Sequence, residues 1–91
     1  MGTPKHQTHE IDLSSLVLGF SSAALSYLSE PFSEKKLELA KQNIDIIRML
    51  EQRTASTHSG SETQLFKEII RDLQLKYAEA HGKLGKKVTA L

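Results

Sequence analysis

The chain has 91 residues, no cysteine and no tryptophan, and its 12 basic and 11 acidic residues leave a formal charge of +1. That length holds one domain, and the missing thiols exclude disulfides, thiolate metal sites and cysteine catalysis. The near-zero balance gives no electrostatic reason to expect nucleic acid or an anionic membrane as a partner.

Residues 1–9 carry no apolar period and are expected to form a disordered lead-in. Within that stretch His6 and His9 stand three apart beside Glu10, the nearest approach to a metal-ligand cluster in the chain. A structural site needs four ligands held in place, and nothing nearby fixes the others, so no metal or cofactor is expected. A first helix should run from about Leu13 to Ser29, with Asp12 as N-cap and Pro31 forcing the stop. Its uncharged stretch from Leu13 to Leu28 does not suit a signal peptide, because Glu10 and Asp12 stand where basic residues belong. At about 16 residues it also falls short of the roughly 20 that a bilayer span requires.

Ser33 caps a second helix, with Glu34 in its first turn, reaching about Arg53. The polar run from Thr54 to Ser61 reads as a loop. Ser61-Glu-Thr-Gln64 matches a capping box for a third helix, which Gly82 is placed to end just after His81, a residue suited to the C-terminal dipole. Lys83, Lys86 and Lys87 then sit in a glycine-punctuated stretch that reads as a flexible basic tail. The organisation is therefore one helical domain over 10–81 between a lead-in and a tail over 82–91. No strand pattern competes, so the fold class is all-α.

The helices differ in their faces. The third gathers Leu65, Phe66, Ile69, Ile70, Leu73, Tyr77 and Ala80 on one side and Lys67, Glu68, Arg71, Asp72 and Glu79 on the other. The second gathers Leu37, Leu39, Ala40, Ile44, Ile46, Ile47 and Leu50 into a wider arc opposite Glu38, Lys41, Asp45, Arg48 and Gln52. The first has a broad apolar face of Leu13, Leu16, Val17, Phe20, Ala23, Ala24, Tyr27 and Leu28, and a narrow second one of Leu18 and Leu25. Between these faces Ser15, Gly19, Ser22 and Ser26 form a stripe of small residues. No charge occurs on this helix, and a helix without a charged face is normally buried all round. Two amphipathic neighbours from so short a chain cannot easily cover it, the alternative being a monomeric three-helix bundle that turns a mildly polar serine face to water. A second copy is therefore expected on Ser15, Leu18, Gly19, Ser22, Leu25 and Ser26, giving a homo-oligomeric helical bundle, with a dimer favoured.

Asn43 falls inside the second helix's apolar arc, beside Ala40, Ile44 and Ile47. A buried amide costs stability unless paired, and in helical assemblies such a residue can fix register and oligomeric state. The other reading places it at a groove edge within reach of water.

Glu10-Ile-Asp-Leu-Ser14, the Ser/Ala/Leu-rich helix that follows, and the run Leu37-Glu-Leu-Ala-Lys-Gln-Asn-Ile-Asp-Ile-Ile-Arg-Met-Leu50 resemble the domain of unknown function 1844 family. Arg71-Asp-Leu-Gln-Leu-Lys-Tyr77 is similar to that family's closing motif. The resemblance covers about residues 10–80 and implies a small, mostly helical bacterial protein of the cytoplasm with no established activity. It supplies no catalytic residues.

The residues themselves supply none either. Serines are plentiful, yet no histidine and acid are placed to activate one on a rigid frame. Gly82-Lys-Leu-Gly-Lys-Lys lacks the spacing of a phosphate loop. Asp45, four residues after Lys41 and three before Arg48, belongs to a solvated ion-pair face. The expected function is non-enzymatic: a self-associating helical module, with room for a further protein partner and no nucleic acid. The alternative is a peripheral membrane or envelope component that uses the uncharged first helix.

Overall fold

The computed structural model describes residues 12–89, with side chains as far as Gly85. The lead-in, with His6 and His9, lies outside the described residues. Three helices follow in order: α1 (Leu13–Tyr27), α2 (Glu34–Thr54) and α3 (Gly60–Thr89), with a 3₁₀ turn at Ala55–Thr57 between the last two. Among the described residues there is no strand.

Each helix begins where a side chain can satisfy its orphan amides. Asp12 accepts the backbone N–H of Ser15 at 2.8 Å, and Ser33 accepts that of Lys36 at 3.1 Å. These are the two expected N-caps. The third helix starts differently. Its capping box is Ser59-Gly-Ser-Glu62, in which Glu62 receives the Ser59 N–H at 3.0 Å and Ser59 Oγ receives the Glu62 N–H at 3.1 Å. The box lies two residues before the expected Ser61-Glu-Thr-Gln64 because a glutamate at the third position reaches back as an ionised acceptor.

The end of α3 also differs from expectation. The helix passes through Gly82 and Gly85 to Thr89, and no glycine among the described residues has a positive φ. A glycine ends a helix only when the chain takes the left-handed turn that glycine permits. His81 is accordingly an interior helical residue, its ring 6.1 Å from that of Tyr77.

The α1–α2 connection contains a cis peptide bond at Glu30–Pro31. Lys36 Nζ reaches back over it, donating to the carbonyls of Ser29 at 2.6 Å and Pro31 at 2.7 Å. Leu28 closes α1 by donating its N–H to the Ala24 and Leu25 carbonyls, so the helix ends at Tyr27, two residues short of the expected Ser29 boundary. Short connections of this kind make neighbouring helices antiparallel.

The core is built from Val17 and Ala24 of α1, Leu37, Ala40, Ile44 and Ile47 of α2, and Phe66, Leu73 and Ala80 of α3. These residues recur at spacings of three and four in α2 and of seven in α1 and α3, as helices buried on one stripe require. α2 lies between the others, which explains its wide apolar arc. α1 is rolled relative to its expected face. Its most buried row is Val17, Ser21 and Ala24, while Leu16 and Ala23 are only half-buried. Small side chains in that row let α1 lie close to its neighbours, and the roll turns the Leu16–Ala23 edge outward.

Candidate interaction surface

α1 presents one continuous outward face. Ser15, Leu18, Gly19, Ser22, Leu25 and Ser26, the six residues expected at a self-association interface, are all exposed. Leu18 keeps 51% of its surface and Leu25 41%. No charged side chain interrupts the helix from Leu13 to Tyr27.

The two edges of this face are unlike. Leu18 and Leu25, seven residues apart, form a ridge along one edge. Along the other runs a groove of about 370 Å³, lined by Ser15, Leu16, Gly19, Phe20 and Ala23 of α1 and by Asn43 of α2. Ser15 and Gly19 of the small-residue stripe form the groove's own near wall, with the leucine ridge beyond them.

Asn43 thus stands where α2 borders the groove, half-buried, with its Nδ2 donating to the Leu39 carbonyl at 2.9 Å. That bond uses one of its two amide hydrogens, and a side-chain amide has a second hydrogen and a carbonyl oxygen for other partners. The structure brings Asn43 together with Ser15 and Gly19 at the groove. Leu18 and Leu25 lie across the stripe from it.

Gly19 is not required by packing within its own chain, and the same holds for Gly60, Gly82 and Gly85. A Cβ added there would meet nothing within 4 Å. Glycine inside a helix costs about 1 kcal/mol relative to alanine, so the position gives up stability without relieving any internal crowding.

The outward faces of α2 and α3 are ordinary by comparison. Glu38, Lys41, Asp45 and Arg48 are exposed on α2, and Lys67, Glu68, Arg71, Asp72, Lys76 and Glu79 on α3. Lys41 pairs with Asp45 at 3.0 Å, the expected i,i+4 contact, and Lys35 with Glu38 at 3.8 Å. Exposed pairs of this kind contribute a few tenths of a kcal/mol. A larger open cleft of about 750 Å³ between α2 and the C-terminal half of α3 combines Leu37, Tyr77 and Leu84 with the charged Glu34, Glu38 and Lys41.

His58 is the residue that sequence reasoning missed. It falls in the run from Thr54 to Ser61 that reads as a polar loop, yet it is tied in on three sides. Its ring stacks on the buried Phe66 at 4.8 Å, its Nε2 lies 2.7 Å from Thr54 Oγ1, and its Nδ1 lies 3.3 Å from Thr63 Oγ1. Thr54 and Thr63 donate in turn to the Leu50 and Ser59 carbonyls. The available signal was spacing, since a histidine four residues after one threonine and five before another can bridge two helix ends. This cluster fastens the α2–α3 connection, with both threonine hydroxyls also engaged by backbone carbonyls.

The surroundings offer little for chemistry. Among the described residues, no group of three or more His, Asp or Glu side chains is placed to hold a metal ion. No helix among them is long and apolar enough to cross a membrane. The Asp12 carboxyl is held below its ordinary value by the Ser15 backbone N–H and then by the Ser15 side chain. That is the signature of a helix cap.

No curated protein and no solved structure matches the chain. A family model does, over residues 10–79, a span that begins just before the Asp12 cap and takes in α1, α2 and the buried seam of α3 as far as Glu79. The chain belongs to the family described as Domain of unknown function (DUF1844).

Proposed function

We propose that this chain is a non-enzymatic helical module of the cytoplasm whose work begins with self-association, two copies meeting through the outward face of α1. The observation that carries the reading is the exposure of Leu18 and Leu25 on a face without a single charge. Isolated leucines on a charged surface need no explanation, but a continuous uncharged face with two half-exposed leucines and an apolar groove marks an interaction site. The absence of cysteine fits a reducing compartment.

Light scattering coupled to size exclusion, without detergent and across a hundredfold concentration range, tests this reading. The expected result is a mass of two chains that dissociates only on dilution. A folded, cooperative one-chain species throughout the range overturns it. Co-sedimentation with anionic vesicles, with the two-chain mass absent in their absence, would move the same face to a lipid surface instead.

A further inference from the structure

α3 is longer than the core that holds it. Its 30 residues span about 45 Å, while the 21 of α2 span about 32 Å. Phe66, Leu73 and Ala80 are buried at seven-residue intervals, and no side chain described beyond Ala80 is buried. His81, Gly82, Lys83 and Gly85 are exposed, and Leu84 is half-buried. The family match stops at Glu79, beside the last of the buried positions.

Local propensity weakens the same stretch. Gly82 and Gly85 are interior residues of the helix, and only proline is a poorer helix former. A Cβ at either would meet nothing within 4 Å, so neither glycine serves to admit a neighbour. Gly19 and Gly60 share that freedom, but their settings differ. Gly19 lies between the buried Val17 and Ala24, which hold its turn in the core, and Gly60 is the first residue of its helix. Gly82 and Gly85 stand together in a stretch that no buried side chain anchors, which puts it at the low end of local stability.

This stretch is nonetheless a wall. The open cleft of about 750 Å³ has α2 on one side and Tyr77, His81, Leu84 and Gly85 on the other. Tyr77 packs against the core. The remainder of that side depends on the helix continuing past Ala80. We infer that α3 is two cooperative units: a part as far as Ala80 that folds with the core, and an arm from His81 onward that melts and reforms by itself. The arm thereby opens and closes the cleft of which it is the far wall. Leu84, half-buried at the cleft, favours the closed wall, and the two glycines oppose it.

Amide hydrogen exchange of the full chain, followed at a series of low urea concentrations, tests this division. Amides from Gly82 to Thr89 are expected to exchange through one common opening, at least about tenfold more frequent than the opening that exposes Phe66 and Leu73. That common opening should respond little to urea, because it uncovers little surface. Leu84→Ala is expected to speed the whole set together by several-fold. Gly82→Ala combined with Gly85→Ala is expected to slow it by about tenfold or more. Exchange that quickens residue by residue from Ala80 to Thr89 is ordinary end fraying and overturns the arm as a unit. Arm amides with the same free energy and urea dependence as the core overturn it as well. A Leu84→Ala variant that leaves the set unchanged removes the closing contact, and the movable wall with it.

Discussion

α1 and α3 flank the same central helix, and they solve the problem of facing water in opposite ways. α3 buries one stripe, Phe66, Leu73 and Ala80, and covers the rest of its surface with lysine, arginine, aspartate and glutamate. Its single exposed leucine, Leu75 at 58%, is surrounded by Arg71, Asp72 and Glu79. α1 buries a stripe of similar width but turns hydroxyls, a glycine and two leucines outward. The first pattern completes a helix within its own chain. The second leaves an uncharged, partly apolar face at the surface, and the lesson is that charge distribution separates the two where exposed leucine alone does not.

The largest effect that would sharpen this contrast concerns the α3 stripe. Phe66→Ala is expected to lower stability by about 3–5 kcal/mol in urea unfolding, since it removes a fully buried ring from the centre of the core. A loss below about 1 kcal/mol would mean that the stripe does not anchor α3, and the comparison would fail on that side.

The contrast itself is tested by one substitution made on each helix. Leu18→Glu is expected to weaken self-association by about 100-fold or more, because a carboxylate placed in an apolar contact stays unpaired. Leu75→Glu, on the charged face of α3, is expected to leave the mass unchanged and stability within about 0.5 kcal/mol. Equal effects at the two sites, measured by light scattering and urea unfolding, would erase the distinction between the faces.

A smaller effect belongs to the connection between α2 and α3. His58→Ala removes the stacking on Phe66 and the bonds toward Thr54 and Thr63, and should cost about 1–2 kcal/mol. Amide exchange should quicken from Thr54 to Thr63 and remain slow in α1. Uniform quickening across all three helices would show that His58 serves the whole bundle rather than this joint.

The smallest effect is at the start of α1. The Asp12 carboxyl is held low mainly by the Ser15 backbone N–H. A carboxyl depressed by folding contributes stability that is complete above its unfolded pKa, about 4, and that is lost as pH falls through the lower folded value. The α1 end should therefore fray slightly more below pH 4 than at pH 7, read by amide exchange of the first turn. Asp12→Asn keeps a capping oxygen without a titrating proton and should remove that difference. An unchanged pH dependence in the variant would show that other carboxyls cause it.

Much of this was legible in the residues because it is local. Asp12 and Ser33 as caps, the break before Pro31, the Lys41–Asp45 pair and the buried rows of α2 and α3 follow from side-chain reach and helical period. Local reasoning also set its own errors. Gly82 was read as a stop because glycine permits one, yet only the path of the chain decides whether the left-handed turn is taken. The capping box slid by two residues because two overlapping matches exist and only the folded turn chooses between them.

By itself the sequence determined that the protein is helical, that it has three helices, and that the first carries no charge. Those properties depend on spacing and composition, which need no partner. Only the tertiary structure decided the roll of α1 toward Ser21, which turns Leu16 and Ala23 outward and makes a groove with Asn43. It alone placed His58 between Thr54, Thr63 and Phe66. Both outcomes depend on how closely two helices approach, a quantity fixed by the summed packing of all the side chains between them.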